Sequence, residues 1–263
     1  METLTQRGLG IVVLDCAYDI LAQPLAQTLF SRFAAAKLEA YQAVYPHGVL
    51  PLGVHDFIAT LIMVGEGSDE EFKPLGSFKS ISLERCERFR VPFELLTLLE
   101  GEHRAPHREA AHSLIQDARG SNGEMFYVGS WSIRPSVRQD TRLRNAVRDL
   151  LLTALCFHHL ESGFSKLTAV ANPRLKTDAF LKASGFQELE LNGQPLPPLT
   201  CDFTFGEKAI ALHASSFRAD FLERLNPFRH AWDERRVLSA KGDSRPLPKV
   251  NEPESGEMMH TIH

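Results

Sequence analysis

Three arginines crowd one short stretch of the chain, Arg138, Arg142 and Arg144 in S-V-R-Q-D-T-R-L-R. Apolar residues then recur at helical spacing at Leu143, Val147, Leu150, Leu151, Ala154 and Leu155, so the arginines flank a helix start. Unpaired backbone N–H groups and the helix dipole favour an anion at that point, and guanidinium forks suit phosphate. Asp140 is an anion in the same place, and either it or Thr141 fits the N-cap position. Two readings therefore stand side by side: a phosphate contact, or ordinary solvated arginines on a helix entry. The histidines offer less. His103 and His107 have the spacing of helical metal ligands, but Pro106 between them argues against a regular helix interior, and no metal site is expected. His158 and His159 fall near the end of the central helix, where the dipole favours a cation, and a structural role is expected of them. His213 has no fixed partner in the sequence, and the spacing assembles no Ser/His/Asp or Cys/His set.

The elements that must position these residues are legible from periodicity. M-F-Y-V-G-S-W-S-I, residues 125–133, mixes aromatic and β-branched residues at period two and reads as a half-buried strand ended by Arg134-Pro135. The helix after the basic turn runs to about Leu160, and Ser162-Gly163 breaks it. K-L-T-A-V-A, residues 166–171, is a second strand closed by Asn172-Pro173. Thr177 caps a short helix through Phe180 and Leu181, and Gly185 stops it in a left-handed conformation before Phe186 packs back. Upstream, residues 10–17 read as a first strand, 24–44 as a helix with Leu25, Leu29, Phe33, Ala36 and Ala40 on one side, and 56–60 and 74–81 as the openings of two more strands. Downstream, D-F-T-F-G-E-K-A-I-A-L-H alternates as two final strands joined at Gly206-Glu207. Residues 215–232 carry Phe217, Phe221, Leu222 and Leu225 at helical spacing, so a terminal helix is expected to pack on the domain or on a partner.

Strand, basic turn, helix, strand, Asn-Pro, helix, Gly-Phe is an order that resembles the Gcn5-related N-acetyltransferase superfamily. Arg138 matches the first position of that family's R/Q-x-x-G-x-G/A turn; Thr141 and Leu143 stand where its two glycines would be, and Leu181 where it often has a general-acid tyrosine. The long first helix, Asp56 entering the second strand, and Gly76-Ser77 leading to Lys79 look like the autoinducer-synthase branch and its N-acyl amino acid synthase relatives. The usual Arg of that branch is Lys79 here, and its acidic cluster is reduced to Asp56.

The resemblance implies an α/β (α+β) acyl-CoA N-acyltransferase fold, a mixed central sheet flanked by helices with its fourth and fifth strands splayed. It implies an N-acyltransferase that takes an acyl group from acyl-CoA or acyl carrier protein and gives it to a small-molecule amine by direct attack. The thioester would lie between the splayed strands, its carbonyl polarised by backbone N–H around Trp131, Ser132 and Ile133. Ser130 and Ser132 are pocket-lining candidates or plain strand hydroxyls; Arg138, Thr141, Arg142, Leu143 and Arg144 would meet the donor's phosphates or its carrier protein. Glu94, after V-P-F, and Asp56 are candidates to receive the ammonium proton. Asn172 would orient pantetheine or a water, or cap the turn before Pro173. The lost glycines and tyrosine equally suit a catalytically silent module of the same fold that binds a ligand or partner.

Composition bounds these readings. At 263 residues, 43% of them hydrophobic and 24% charged, the chain can bury a sizeable core, and residues 8–238 are expected to form one domain with a disordered tail at 239–263. A net charge of -4 gives no global attraction to nucleic acid. The start M-E-T-L-T-Q does not read as a signal peptide, and no apolar run approaches the roughly 20 residues needed to span a bilayer, so a cytoplasmic location is expected. Cys16, Cys86, Cys156 and Cys201 form no C-x-x-C and are expected as reduced core thiols.

Overall fold

The computed structural model describes residues 8–45, 48–49, 51–121, 123–201 and 206–242. The elements run β1 (Leu9–Asp15), α1 (Ala17–Ile20), α2 (Pro24–Gln42), α3 (Val54–Ile58), β2 (Thr60–Glu66), β3 (Lys73–Ser82), α4 (Leu83–Phe89), α5 (Glu94–Leu98), α6 (Ala105–Gly120) and β4 (Glu124–Ile133). The second half runs α7 (Pro135–Gln139), α8 (Thr141–Ser162), β5 (Phe164–Ala171), α9 (Thr177–Ser184), β6 (Gln187–Glu188), β7 (Glu190–Leu191), β8 (Gln194–Pro195), β9 (Leu199–Cys201), β10 (Glu207–Ala214), α10 (Ala219–Leu225), α11 (Arg229–Asp233) and β11 (Arg236–Leu238).

One mixed sheet organises them in the order β11-β1-β2-β3-β4-β5-β10-β6, with β9 on β10. Parallel pairs occur at β1/β11 and β4/β5, and the other pairs are antiparallel. Alternate residues of each strand enter two separate cores. Val12, Leu14, Leu61, Met63, Met125 and Tyr127 face α2 and α6 through Leu29, Phe33, Ala111 and Ile115. Ile11, Val13, Ile62, Val64, Phe126 and Val128 face α8 through Val147, Leu150, Leu151, Ala154 and Leu155. Both faces are covered, which is why T-L-I-M-V in β2 reads as a continuous apolar run. Gly76 brings α8 close: a Cβ there would lie 2.9 Å from both Leu151 Cδ1 and Val147 Cγ1.

The main expected elements are present, with instructive differences. Residues 56–60 are expected to open a strand, but residues 54–58 form α3 and β2 begins only at Thr60. The local cause is reciprocal capping: the Gly53 N–H donates to Asp56 Oδ2 (2.9 Å), while the Asp56 N–H donates to the Gly53 carbonyl (3.0 Å). The basic turn contains a short helix, α7, started by Pro135. The expected terminal helix is broken into α10 and α11 around a 3-10 turn at Asn226–Phe228, where Pro227 lacks an N–H. It packs on the domain: Phe221, Leu225 and Trp232 are buried, and the Trp232 indole donates to Glu161 Oε1 (2.8 Å). Gly185 ends α9 at φ 121°, where a Cβ would meet the Ser216 carbonyl at 2.8 Å; the Phe186 N–H donates back to Leu181 (3.0 Å).

The histidine pair departs from expectation in charge. His158 and His159 face the sheet, and burial pushes His158 down to about 3 and His159 well below its ordinary range, so both are neutral rather than cationic. His159 Nδ1 donates to the Leu155 carbonyl (2.7 Å), which leaves Nε2 to accept from Ser80 (2.8 Å). Cys16, Cys86 and Cys156 are buried and free. Among the described residues no helix is long and apolar enough to cross a membrane, and no cluster of potential metal ligands occurs. Residues 202–205, expected within the last hairpin, and 243–263 of the expected tail lie outside the described residues.

Candidate active site

The parallel pairing of β4 with β5 starts at Glu124 and Phe164 and stops at Val128 and Ala169. Beyond that point Gly129, Ser132 and Ile133 pair only with β3, while Val170 and Ala171 pair only with β10. The strands therefore diverge and leave the facing edge of β4 without a ladder partner. On its other side β4 carries a bulge: the register shifts between Ser77 and Lys79, so that Ser130 and Trp131 together oppose Phe78. Ser130 has a φ of 59°, a left-handed conformation unusual for a residue with a side chain, and Trp131 stacks on Phe78 with ring centroids 5.7 Å apart.

A cavity of about 430 Å³ opens where the strands part. Five of the residues expected from the sequence line it: Asp56, Glu94, Ser130, Trp131 and Asn172. Leu181, in the place of the family's tyrosine, also lines it and contributes only apolar surface.

Its polar end is a chain of buried charges. Lys37 on α2 bonds Asp56 Oδ1; Lys79 on β3 lies 3.6 Å from Asp56 Oδ2 and 2.8 Å from Glu94 Oε1. Lys37 and Asp56 are inaccessible, and Glu94 Oε2 is buried with no hydrogen-bond partner. Burial, with Lys79 beside it, pushes Lys37 down to about 8 although Asp56 draws it up. Lys79 moves the other way: burial alone would lower it, but the Glu94 and Asp56 carboxylates together outweigh that and raise it. Tyr41 flanks the cluster; its ring is half-buried, and burial holds its hydroxyl well above the ordinary range.

The remaining expected residues, Ser132, Ile133, Arg138, Thr141, Arg142, Leu143 and Arg144, lie outside the cavity lining. Ser132 is buried and shares a hydrogen bond with Ser77 (Oγ to Oγ, 2.8 Å). Arg138 donates from Nε to the Ile133 carbonyl (2.9 Å) and from Nη2 to Ala40 (3.4 Å), tying α7 back to β4 and α2. Asp140 caps α8, accepting from the N–H groups of Arg142 (2.8 Å) and Leu143 (3.0 Å), so the protein's own carboxylate takes donors that could meet a phosphate. Thr141, Arg142 and Arg144 are exposed, and Leu143 is half-buried against the α8 core. Asn172 does two things: its Oδ1 accepts from the Arg174 N–H (2.9 Å), capping the turn, while Nδ2 donates to Tyr45 (3.3 Å) and to Glu207.

Lys37, in the charged cluster, and Tyr41, in the cavity lining, are candidate-site residues that sequence reasoning passed over. Lys37 carried a signal, because it sits in the apolar stripe of α2 one turn after Phe33, where a solvated lysine has no place. Tyr41 follows it by one further turn on the same helix.

A mixed sheet whose parallel β4 and β5 part beside a bulge, with helices on both faces, defines an acyl-CoA N-acyltransferase-type fold. Within that class the likeness is to acyl-homoserine lactone synthases. BjaI, a CoA-dependent acyl-homoserine lactone synthase, with SAM and isopentyl-CoA, is 13% identical over 88% of this chain and 94% of its own, with a TM-score of 0.53. The same protein with MTA matches at 13% identity over 88% and 94%, with a TM-score of 0.50. FeeM, an N-acyl amino acid synthase from uncultured soil microbes, is 15% identical over 79% and 90%, with a TM-score of 0.43. At such identities the likeness is one of fold. No family model matches the chain, and no curated protein matches it in sequence.

Proposed function

We propose that this protein is an N-acyltransferase that moves an acyl group from a pantetheine thioester, borne by coenzyme A or by a carrier protein, to an amine. The observation that carries the reading is the parting of β4 and β5 after Val128 and Ala169, with a cavity at the gap and a buried, unpartnered carboxylate oxygen on Glu94, one of its lining residues. A thioester threaded through the gap presents its carbonyl to the unpaired edge of β4 at Gly129 to Trp131. Backbone N–H groups aimed there stabilise the oxyanion without any particular side chain. Glu94 Oε2 takes one proton from the acceptor ammonium, and the freed nitrogen lone pair attacks the carbonyl carbon. As the tetrahedral intermediate collapses, the C–S bond breaks and the departing sulfur takes a second proton from nitrogen, leaving an amide and a free thiol.

Asp56 and Asn172 act as positioning residues in this scheme. Asp56 holds Lys79, which in turn holds Glu94 by its other oxygen; Asn172 ties the end of β5 to Tyr45 at the cavity wall. Exposed Arg142 and Arg144 at the start of α8 supply a cationic surface for the donor's phosphate.

The test is amine-dependent thiol release from octanoyl-CoA and from octanoyl carrier protein with a mixture of primary amines, the amide being identified by mass spectrometry. Glu94→Gln is expected to lower kcat/KM by about 10² to 10⁴-fold. Val170→Trp, which fills the gap from β5, is expected to abolish turnover in a protein whose circular dichroism is unchanged. Tight thioester binding with no amine-dependent thiol release would instead mark a silent binding module and sink the proposal.

A further inference from the structure

The charged end of the cavity carries information about the acceptor. Lys37, Lys79, Asp56 and Glu94 are two ammonium groups and two carboxylates packed together, so the cluster has no net charge to offer an ionic ligand. Lys37 is inaccessible and committed to Asp56. Lys79 is the lining ammonium or guanidinium group among the described residues, and its charge is shared between Asp56 and Glu94. What remains unsatisfied is an acceptor of hydrogen bonds, Glu94 Oε2. A buried carboxylate oxygen without a donor is costly, and an incoming ammonium repairs the deficit. A ligand carboxylate would enter beside two carboxylates that already share Lys79, the lining ammonium among the described residues, a like-charge juxtaposition with little compensation. Leu98, Leu52, Pro51 and Val49 also line the cavity and offer apolar surface suited to a hydrocarbon body, beside polar His55, Thr97 and Tyr127.

We infer that the acceptor is a primary amine with an apolar body and no carboxylate next to the amine, discriminated from free amino acids by Glu94 and by the lack of an uncommitted ammonium or guanidinium group among the described lining residues. This rests on the acyltransferase reading and narrows it. The ammonium bonds Glu94 Oε2, the hydrocarbon body lies along Leu52 and Leu98, and a carboxylate on the adjacent carbon is forced toward Asp56. Specificity comes from the repulsive element as much as from the attractive one.

The experiment compares matched pairs with octanoyl-CoA and octanoyl carrier protein as donors: 2-phenylethylamine against phenylalanine, and isopentylamine against leucine, with phenylalanine methyl ester as a size control. Each amine is expected to exceed its amino acid in kcat/KM by at least about tenfold, the ester ranking with the amine. Thr97→Lys adds a cation to the cavity wall one helical turn from Glu94 and is expected to shift the ratio toward phenylalanine by several-fold. Calorimetric binding of 2-phenylethylamine and phenylalanine to the thioester-loaded protein reads recognition apart from turnover. Amino acids used as well as or better than their amines, or a ratio that Thr97→Lys leaves unmoved, would overturn the inference while leaving acyl transfer intact. No amide from any acceptor, with binding still favouring the amine, overturns acyl transfer and keeps the recognition; no amide and no preference overturns both.

Discussion

Two groups of charged side chains flank the gap between β4 and β5, and they are built on opposite principles. The turn before α8 gathers Arg138, Arg142, Arg144 and Asp140 within seven residues of chain, at or near the surface, with most of its hydrogen bonds closed locally and Arg138 also reaching Ala40 on α2. The cavity cluster draws Lys37, Asp56, Lys79 and Glu94 from α2, α3, β3 and α5, burying the first three and leaving Glu94 partly exposed. Water screens the first group, so each charge there changes little energetically. The second sits where a charge must be paired, and one carboxylate oxygen is left over. Arg138 anchors the turn and Asp140 caps the helix, leaving Arg142 and Arg144 exposed to meet a phosphate, whereas under the proposed acyl transfer the leverage on the reacting amine lies in the inconspicuous cluster.

The contrast can be broken or sharpened by measurement. The largest effect is expected from Asp56→Ala, which strands Lys37 in the interior and should cost about 3–5 kcal/mol of stability by urea unfolding. A loss of under about 1 kcal/mol would mean that the cluster is wet and the contrast false. Next comes pH. Lys37 has its folded pKa lowered to about 8 from 10.5, so between those values the unfolded chain binds the extra proton and stability rises with pH; the penalty is full below pH 8. Lys37→Met should flatten that rise in the unfolding free energy measured from pH 8 to 10.5. At the turn, Asp140→Ala should cost about 0.5–2 kcal/mol through the lost cap. Arg142→Ala is the smallest, within about 0.5 kcal/mol of the parent in stability. Should Arg142→Ala destabilise more than Asp56→Ala, the roles assigned to the two groups would be reversed.

Legibility from sequence divides along the same line. β4, α8, β5 and α9 were readable because each is a local periodic segment bounded by Arg-Pro, Ser-Gly, Asn-Pro or Gly-Phe, and burial on both sheet faces matches their apolar runs. Asp56 and Glu94 were readable as isolated carboxylates, but Asp56 was misplaced in a strand because the reciprocal Gly53–Asp56 cap that folds α3 leaves no hydrophobic period. The break at Pro227 was visible in the residues yet masked by the helical spacing of Phe217, Phe221 and Leu225.

From the sequence alone come the order of β4, α8, β5 and α9 and the capping potential of Asp140, since each depends on residues a few positions apart. Only the tertiary structure decides that Lys37 meets Asp56, that Lys79 is divided between two carboxylates, and that Glu94 keeps an oxygen free. Those contacts join residues from four separate elements, and their energy comes from exclusion of water by the folded core, which no local pattern encodes.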